Sequence, residues 1–233
     1  MDGSFIDRAR FAIPSRRAPA RPPYALLDVG KTSLRVSDEG SGALAFVLTP
    51  DPPNVLEHHE TALRSLASQG RAIGLELPGF GHSRPSPSFR FSVDENADVV
   101  LEALEKLGAD RAVLMFPCLA GMIALEAARR APQRIAAVVL AQTPSFEDAL
   151  AWTERVDFHG LIGTPVIGQV LVRALRRPLA RSWYRAALRK GADLEPYLEE
   201  ALVAYSRGAD YSLASALQAV RNTAPPVTPV PVP

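Results

Sequence analysis

The sequence predicts an α/β protein with a mainly parallel central sheet flanked by helices, and three observations carry that prediction. Short apolar runs rich in β-formers alternate with stretches of helical period between Ala43 and Ala141. Two of the runs, Ala112-Val113-Leu114-Met115 and Ala136-Ala137-Val138-Val139-Leu140, are apolar on both faces. After Pro144 the strand signal stops and only helical spacing remains. Strand-helix alternation is the signature of parallel strands joined by crossover helices, and a strand without polar alternation belongs inside a sheet covered on both sides.

The elements follow in order. Residues 1–23 interleave Arg8, Arg10, Arg16, Arg17 and Arg21 with Pro14, Pro19, Pro22 and Pro23, and read as a flexible basic arm. Tyr24 to Val29 and Ser33 to Val36, split by Gly30-Lys31, read as an edge hairpin. Strand and helix then alternate: Ala43 to Leu48 with Val55 to Ser68, Ala72 to Leu75 with Val93 to Leu107, Ala112 to Phe116 with Leu119 to Arg130, and finally Ile135 to Ala141. Asn54 is the expected cap of the first of these helices, and His58 and His59 are expected on its surface. Together residues 24–145 form the core.

Residues 146–223 read as a helical cap, longer than a connecting loop should be, with Leu161, Ile162, Val166, Ile167, Val170 and Leu171 at helical spacing. Trp152, Trp183, Tyr184 and Tyr197 supply its large packing groups. Residues 224–233 form a proline-rich tail that lacks too many backbone donors to be an interior strand.

Composition removes several function classes. Hydrophobic residues at 47% and charged residues at 22% are ordinary for a soluble globular chain, and 26 basic against 25 acidic side chains leave no field to attract a polyanion. Neither nucleic acid nor a membrane is expected as a partner. One cysteine forms no internal disulfide, the opening Met1-Asp2-Gly3-Ser4 lacks a secretory pattern, and no apolar stretch is long enough for a bilayer, so a cytoplasmic location is expected. No metal and no cofactor are expected either, since no His, Cys or carboxylate cluster has ligand spacing and no glycine-rich phosphate or dinucleotide fingerprint occurs.

Two motifs carry the functional reading. Leu77-Pro78-Gly79-Phe80-Gly81-His82-Ser83 holds glycines at the spacing of a tight backbone turn, and Leu114 to Leu125 runs from an apolar strand through Pro117-Cys118 into a small-residue helix. On these motifs, Gly40 to Ser145 resembles the α/β-hydrolase superfamily, in its small-ester, haloalkane and epoxide-hydrolase-like branch. The likeness continues more weakly to about Thr223. The glycine loop matches that branch's Pro-Gly-x-Gly-x-Ser, which is structural in the family. The strand-to-helix turn matches the nucleophile elbow, G-x-S-x-G.

The resemblance implies roles residue by residue. Cys118 falls on the nucleophile, and the Leu119 amide on an oxyanion donor. A thiolate there would be favoured by the helix dipole. Phe116 and Ala120 stand where the two glycines should be, so a phenyl ring must find room the family leaves empty. The loop carrying the second oxyanion donor corresponds to Leu48-Thr49-Pro50-Asp51-Pro52-Pro53-Asn54, where Thr49 is the candidate donor and Asp51 a candidate substrate contact, in what is otherwise a rigid proline turn. Phe116 and Gln142 are the other candidate substrate contacts. The family's histidine follows its last strand; here His82, in the glycine loop, is the candidate base. Gln142, neutral, occupies the place after the sixth strand where some relatives keep an acid.

The chain is expected to stop where the family's seventh strand begins, which leaves Ile135 to Leu140 as an apolar edge and makes self-association through it an expected partner interaction. Three readings stay open. The chain is a hydrolase of a small apolar ester, thioester or lactone held under the cap; or a catalytically silent relative, a pseudoenzyme that binds a ligand or partner; or an enzyme truncated before its histidine.

Overall fold

The hairpin comes first in space as in sequence: β1 (Tyr24–Val29) pairs antiparallel with β2 (Thr32–Gly40). In this computed structural model, residues 24–86 and 88–222 are described; the basic arm of 1–23 and the proline-rich tail of 224–233 lie outside them. β2 runs on beyond Val36 to Gly40 because β4 (Arg71–Leu75) pairs along that stretch, from Val36 opposite Leu75 to Gly40 opposite Arg71. Its polar run Ser37-Asp38-Glu39 hides the strand in the sequence, but a neighbour that satisfies the backbone overrides weak propensity.

The remaining strands are parallel. β3 (Ala45–Leu48) lies between β4 and β5 (Ala112–Pro117), and β6 (Ile135–Ala141) adds beyond β5, so the sheet reads β1-β2-β4-β3-β5-β6. The register that matters for the site is Leu48 opposite Met115. It aligns the loops that leave β3 and β5 at one end of the sheet. Among the described residues β6 is paired on one side only, and Val139 and Leu140 are 44% and 47% exposed.

The crossovers are helical. The expected helix from Val55 to Ser68 is a 3-10 turn, Leu56–His59, followed by α1 (Glu60–Ala67), and its N-cap is Val55 rather than Asn54. The Asn54 Oδ1 instead meets His58 Nδ1 at 3.1 Å. His58 and His59 are half-buried, not surface residues, and the His58 ring packs between Tyr184 and Tyr197. Burial pushes the His58 imidazole down to about 4. α2 (Val93–Lys106) is started by the Ser92 hydroxyl, which accepts from the Glu95 amide at 3.1 Å. α3 (Ala120–Arg130) follows β5 and buries its alanine-rich face, including Ala124, Ala127 and Ala128, in the main core with Leu114 and Phe116.

Beyond β6 come α4 (Phe146–Val156), α5 (Ile167–Ala174), α6 (Arg176–Ala187), α7 (Glu195–Ala204), a π-type turn at Tyr205–Ala209 and α8 (Asp210–Arg221). This region has cores of its own; one gathers Tyr184, Leu198 and Tyr205 around Val55, so it is anchored on the loop after β3. A buried amide cluster joins α5 to α8, where Gln169 Nε2 donates to Ser215 Oγ at 2.9 Å and to Gln218 Oε1 at 3.0 Å.

One polar brace ties the site loops together. Arg35 on β2 is 3% exposed and donates to Glu57 and to Glu76, which is itself 1% exposed. Glu76 accepts from the Leu56 amide at 3.1 Å and from the His82 amide at 2.6 Å. The loop after β3 and the loop after β4 therefore share one buried carboxylate, which is tolerated because donors surround it.

Candidate functional site

Cys118 stands at the junction of β5 and α3 with φ at +53°, a left-handed conformation that a non-glycine residue adopts only when its surroundings hold it. Two backbone contacts do so. The Cys118 N–H donates to the Ala141 carbonyl at the end of β6 at 2.8 Å, and the Cys118 carbonyl accepts from the Gly121 amide at 3.1 Å. The turn projects the side chain out of the strand's pleat at the start of a helix.

A glycine is required nearby at Gly121, a position that neither elbow glycine of the sequence motif pointed to. A Cβ there would lie 2.1 Å from the Thr143 Oγ1 beyond β6, so α3 sits too close to that loop for any side chain. Phe116, which replaces an elbow glycine, is fully buried in the main core and opposite Leu140 on β6. Alternation along β5 explains this placement: Ala112, Leu114 and Phe116 face inward together. The phenyl ring fills core, not substrate space.

The Cys118 thiol opens into a cavity of about 240 Å³. On the sheet side the wall is Asp51, Pro52, Pro53, Phe80, Leu119 and Met122; on the helical side it is Trp152, Val156, Leu179, Trp183, Tyr205 and Leu217, among others. Nearly every wall residue is apolar, and the titratable groups among them are Asp51, Cys118 and Tyr205. An apolar concavity with a few convergent polar groups is the usual form of a small-molecule site.

Those groups form a chemical unit. Each of Asp51 and Cys118 shifts the ionisation of the other, and the Leu119 amide favours the thiolate. Burial, with the Cys118 thiol opposing it, pushes the Asp51 carboxyl up to about 7. Burial first and the Asp51 charge second push the Cys118 thiol up to about 11, against the Leu119 amide. The expectation of a dipole-favoured thiolate is therefore corrected: desolvation and a neighbouring carboxylate outweigh one amide. Tyr205, 3% exposed, has its phenol pushed up by burial and by the charges of Asp210 and Asp51, so it too is neutral.

Of the residues singled out in the sequence, the structure brings Cys118, Leu119 and Asp51 to one cavity. The other four stand elsewhere. Thr49 is fully buried beneath the loop and its hydroxyl finds no partner among the described residues. Phe116 is in the core. Gln142, at φ +56° where β6 ends, is exposed, because the chain turns away there. His82 is 9% exposed and belongs to the glycine loop held on Glu76, outside the cavity wall. Trp152, Trp183 and Tyr205 were legible only as packing residues or not at all; their convergence on the cavity depends on how the helices cross.

Among the described residues no group of three or more His, Cys, Asp or Glu side chains is arranged to hold a metal ion, and no helix is long and apolar enough to cross a membrane.

Comparison with known proteins fits this geometry. The model of the alpha/beta hydrolase fold family matches residues 54–162. Among solved structures, a "putative epoxide hydrolase" from Pseudomonas aeruginosa superposes with a TM-score of 0.74 at 22% identity, covering 89% of this chain and 72% of the other. A haloalkane dehalogenase from Agrobacterium tumefaciens C58 superposes with a TM-score of 0.64 at 18% identity, covering 85% of this chain and 67% of the other. At such identities the likeness is one of fold. A curated relative, the dihydrolipoyllysine-residue acetyltransferase component of an acetoin cleaving system from Pseudomonas putida, is 34% identical over 86 residues. That match spans 37% of this chain and 23% of the relative's length.

Proposed function

The chain has the α/β-hydrolase fold, whose family model matches residues 54–162, and we propose that it is a member of that superfamily performing acyl chemistry, hydrolysing a small apolar ester, thioester or lactone through Cys118. One observation carries the reading. The only cysteine sits at a strained strand-to-helix turn and lines an apolar cavity, where the Leu119 amide favours its thiolate. Strain of this kind is retained where function needs it. In this reading the sulfur attacks the acyl carbon, the Leu119 amide holds the oxygen that becomes negative, and the helical region acts as a cap that keeps water from the acyl group. The apolar walls from Trp152, Trp183 and Leu217 favour a substrate without charge. The acetyltransferase relative supports acyl transfer in general, over the stretch it shares.

A second reading, ligand binding without turnover, is favoured by the thiol's elevation to about 11, which leaves it protonated at neutral pH. One assay separates the two. Short-chain p-nitrophenyl esters are given to the wild-type chain, to Cys118→Ala and to Cys118→Ser. Under the hydrolase reading the wild type releases p-nitrophenol and forms an acyl adduct at Cys118, and turnover disappears in Cys118→Ala. Turnover unchanged in Cys118→Ala, or no adduct in the wild type, sinks it.

A further inference from the structure

We propose that Asp51 is the catalytic proton acceptor for Cys118, taking the thiol proton as the sulfur attacks an acyl carbon and returning it to the leaving group. The inference rests on the nucleophile reading above and assigns to Asp51 the role of base for which His82 was the candidate in the sequence. Two observations of position carry it, and the electrostatics of the pair agree with them. The fold aligns the two residues: Leu48 on β3 and Met115 on β5 are paired in register, and Asp51 and Cys118 each follow that pair by the same interval along their loops. Both line the same cavity. Each group also shifts the other's ionisation, Asp51 raising the thiol and the thiol lowering Asp51 against its burial.

The surroundings suit the role. Among the described residues no histidine contributes to the cavity wall; the titratable group facing the pair from the helical region is Tyr205, which stays neutral. An ordinary carboxylate is too weak a base for a thiol. Burial raises Asp51 to about 7, the range in which a histidine works, so it can both accept and give back a proton near neutral pH. Because the thiol lies higher still, free thiolate does not accumulate and the proton moves as the new bond forms.

The step balances without any co-reactant except water. The S–H bond breaks as the S–C bond forms, the proton passes to an Asp51 carboxylate oxygen, and the carbonyl electrons move to oxygen. Collapse of the tetrahedral intermediate breaks the bond to the leaving alkoxide or thiolate, which takes the proton from Asp51. Water then attacks the thioester and gives its proton to Asp51; the carboxylic acid leaves as the sulfur regains that proton.

The test uses Asp51→Asn, p-nitrophenyl acetate in single turnover, and iodoacetamide as a probe of the thiol alone. Asp51→Asn is expected to slow acylation of Cys118 by about 10²- to 10⁴-fold and to erase the ionisation near neutrality from the pH profile. The same variant is expected to alkylate faster at fixed pH, because the neighbouring charge that disfavours thiolate is gone. Opposite effects on the two reactions are not produced by a merely structural residue.

The wild-type pH profile tests the same point without a variant. A rise that levels off above an ionisation near pH 7 supports the inference; a rate that follows thiol ionisation near pH 11 overturns it, as does acylation undiminished in Asp51→Asn. Absence of any acyl-Cys118 in the wild type overturns the nucleophile reading and this inference together, whereas acylation that is insensitive to Asp51 overturns this inference alone.

Discussion

A methyl group at Gly81 would lie 2.1 Å from the Cδ of Glu76, and the residue's φ is +54°, so this position combines a left-handed backbone with no room for a side chain. Glu76 cannot move aside, because it holds the Arg35 side chain and the Leu56 and His82 amides. Gly81→Ala should lower stability by roughly 2–5 kcal/mol, from about 1–2 for the left-handed conformation and about 1–3 for overpacking. Chemical denaturation monitored by circular dichroism checks this; an unchanged midpoint would show that the brace yields. The glycine spacing was readable in the sequence, whereas the brace on the carboxylate it accommodates was not, since Arg35 reaches Glu76 only when β4 packs beside β2. Cys118 follows the same division. Its address at the end of an apolar strand was legible, but the cavity it shares with Asp51 joins one loop to another.

Elements with a strong period were legible almost to the residue. α2 was expected from Val93 to Leu107 and spans Val93–Lys106, because its apolar stripe and its Ser92 cap lie in one local stretch. The element after β3 was not, since a proline-rich entry and the Leu56 amide's bond to Glu76 tighten its first turn into a 3-10 form. β6 was legible as an apolar strand. In the described residues it presents an unpaired side with Val139 and Leu140 exposed, a template for another strand. We propose that this 233-residue chain self-associates there. Val139→Lys should reduce concentration-dependent light scattering while leaving the circular dichroism spectrum unchanged; scattering equal to the wild type would place self-association elsewhere.

At the scale of the molecule, the buried carboxylates give stability a pH dependence whose sign is determined. Asp51 is raised from 3.8 to about 7 on folding, so between those values the folded chain keeps a proton that the unfolded chain has released. That stability is fully present below pH 4 and is lost as pH rises through 7, with a ceiling on the order of 4 kcal/mol. Glu76, also raised to about 7, adds a slope of the same sign. Melting temperatures measured from pH 4.5 to 8 should therefore fall less steeply in Asp51→Asn than in the wild type; parallel curves would mean that Asp51 ionises normally. The sequence by itself determined the strand-helix alternation, the glycine loop and the place of Cys118, because each is written in residues a few positions apart. Only the tertiary structure decided that Asp51 rather than His82 shares a cavity with Cys118, that Phe116 belongs to the core, and that Trp152, Trp183 and Tyr205 line that cavity. The physical reason is that strand register and helix crossing bring distant side chains together, and no local pattern of residues encodes those two geometries.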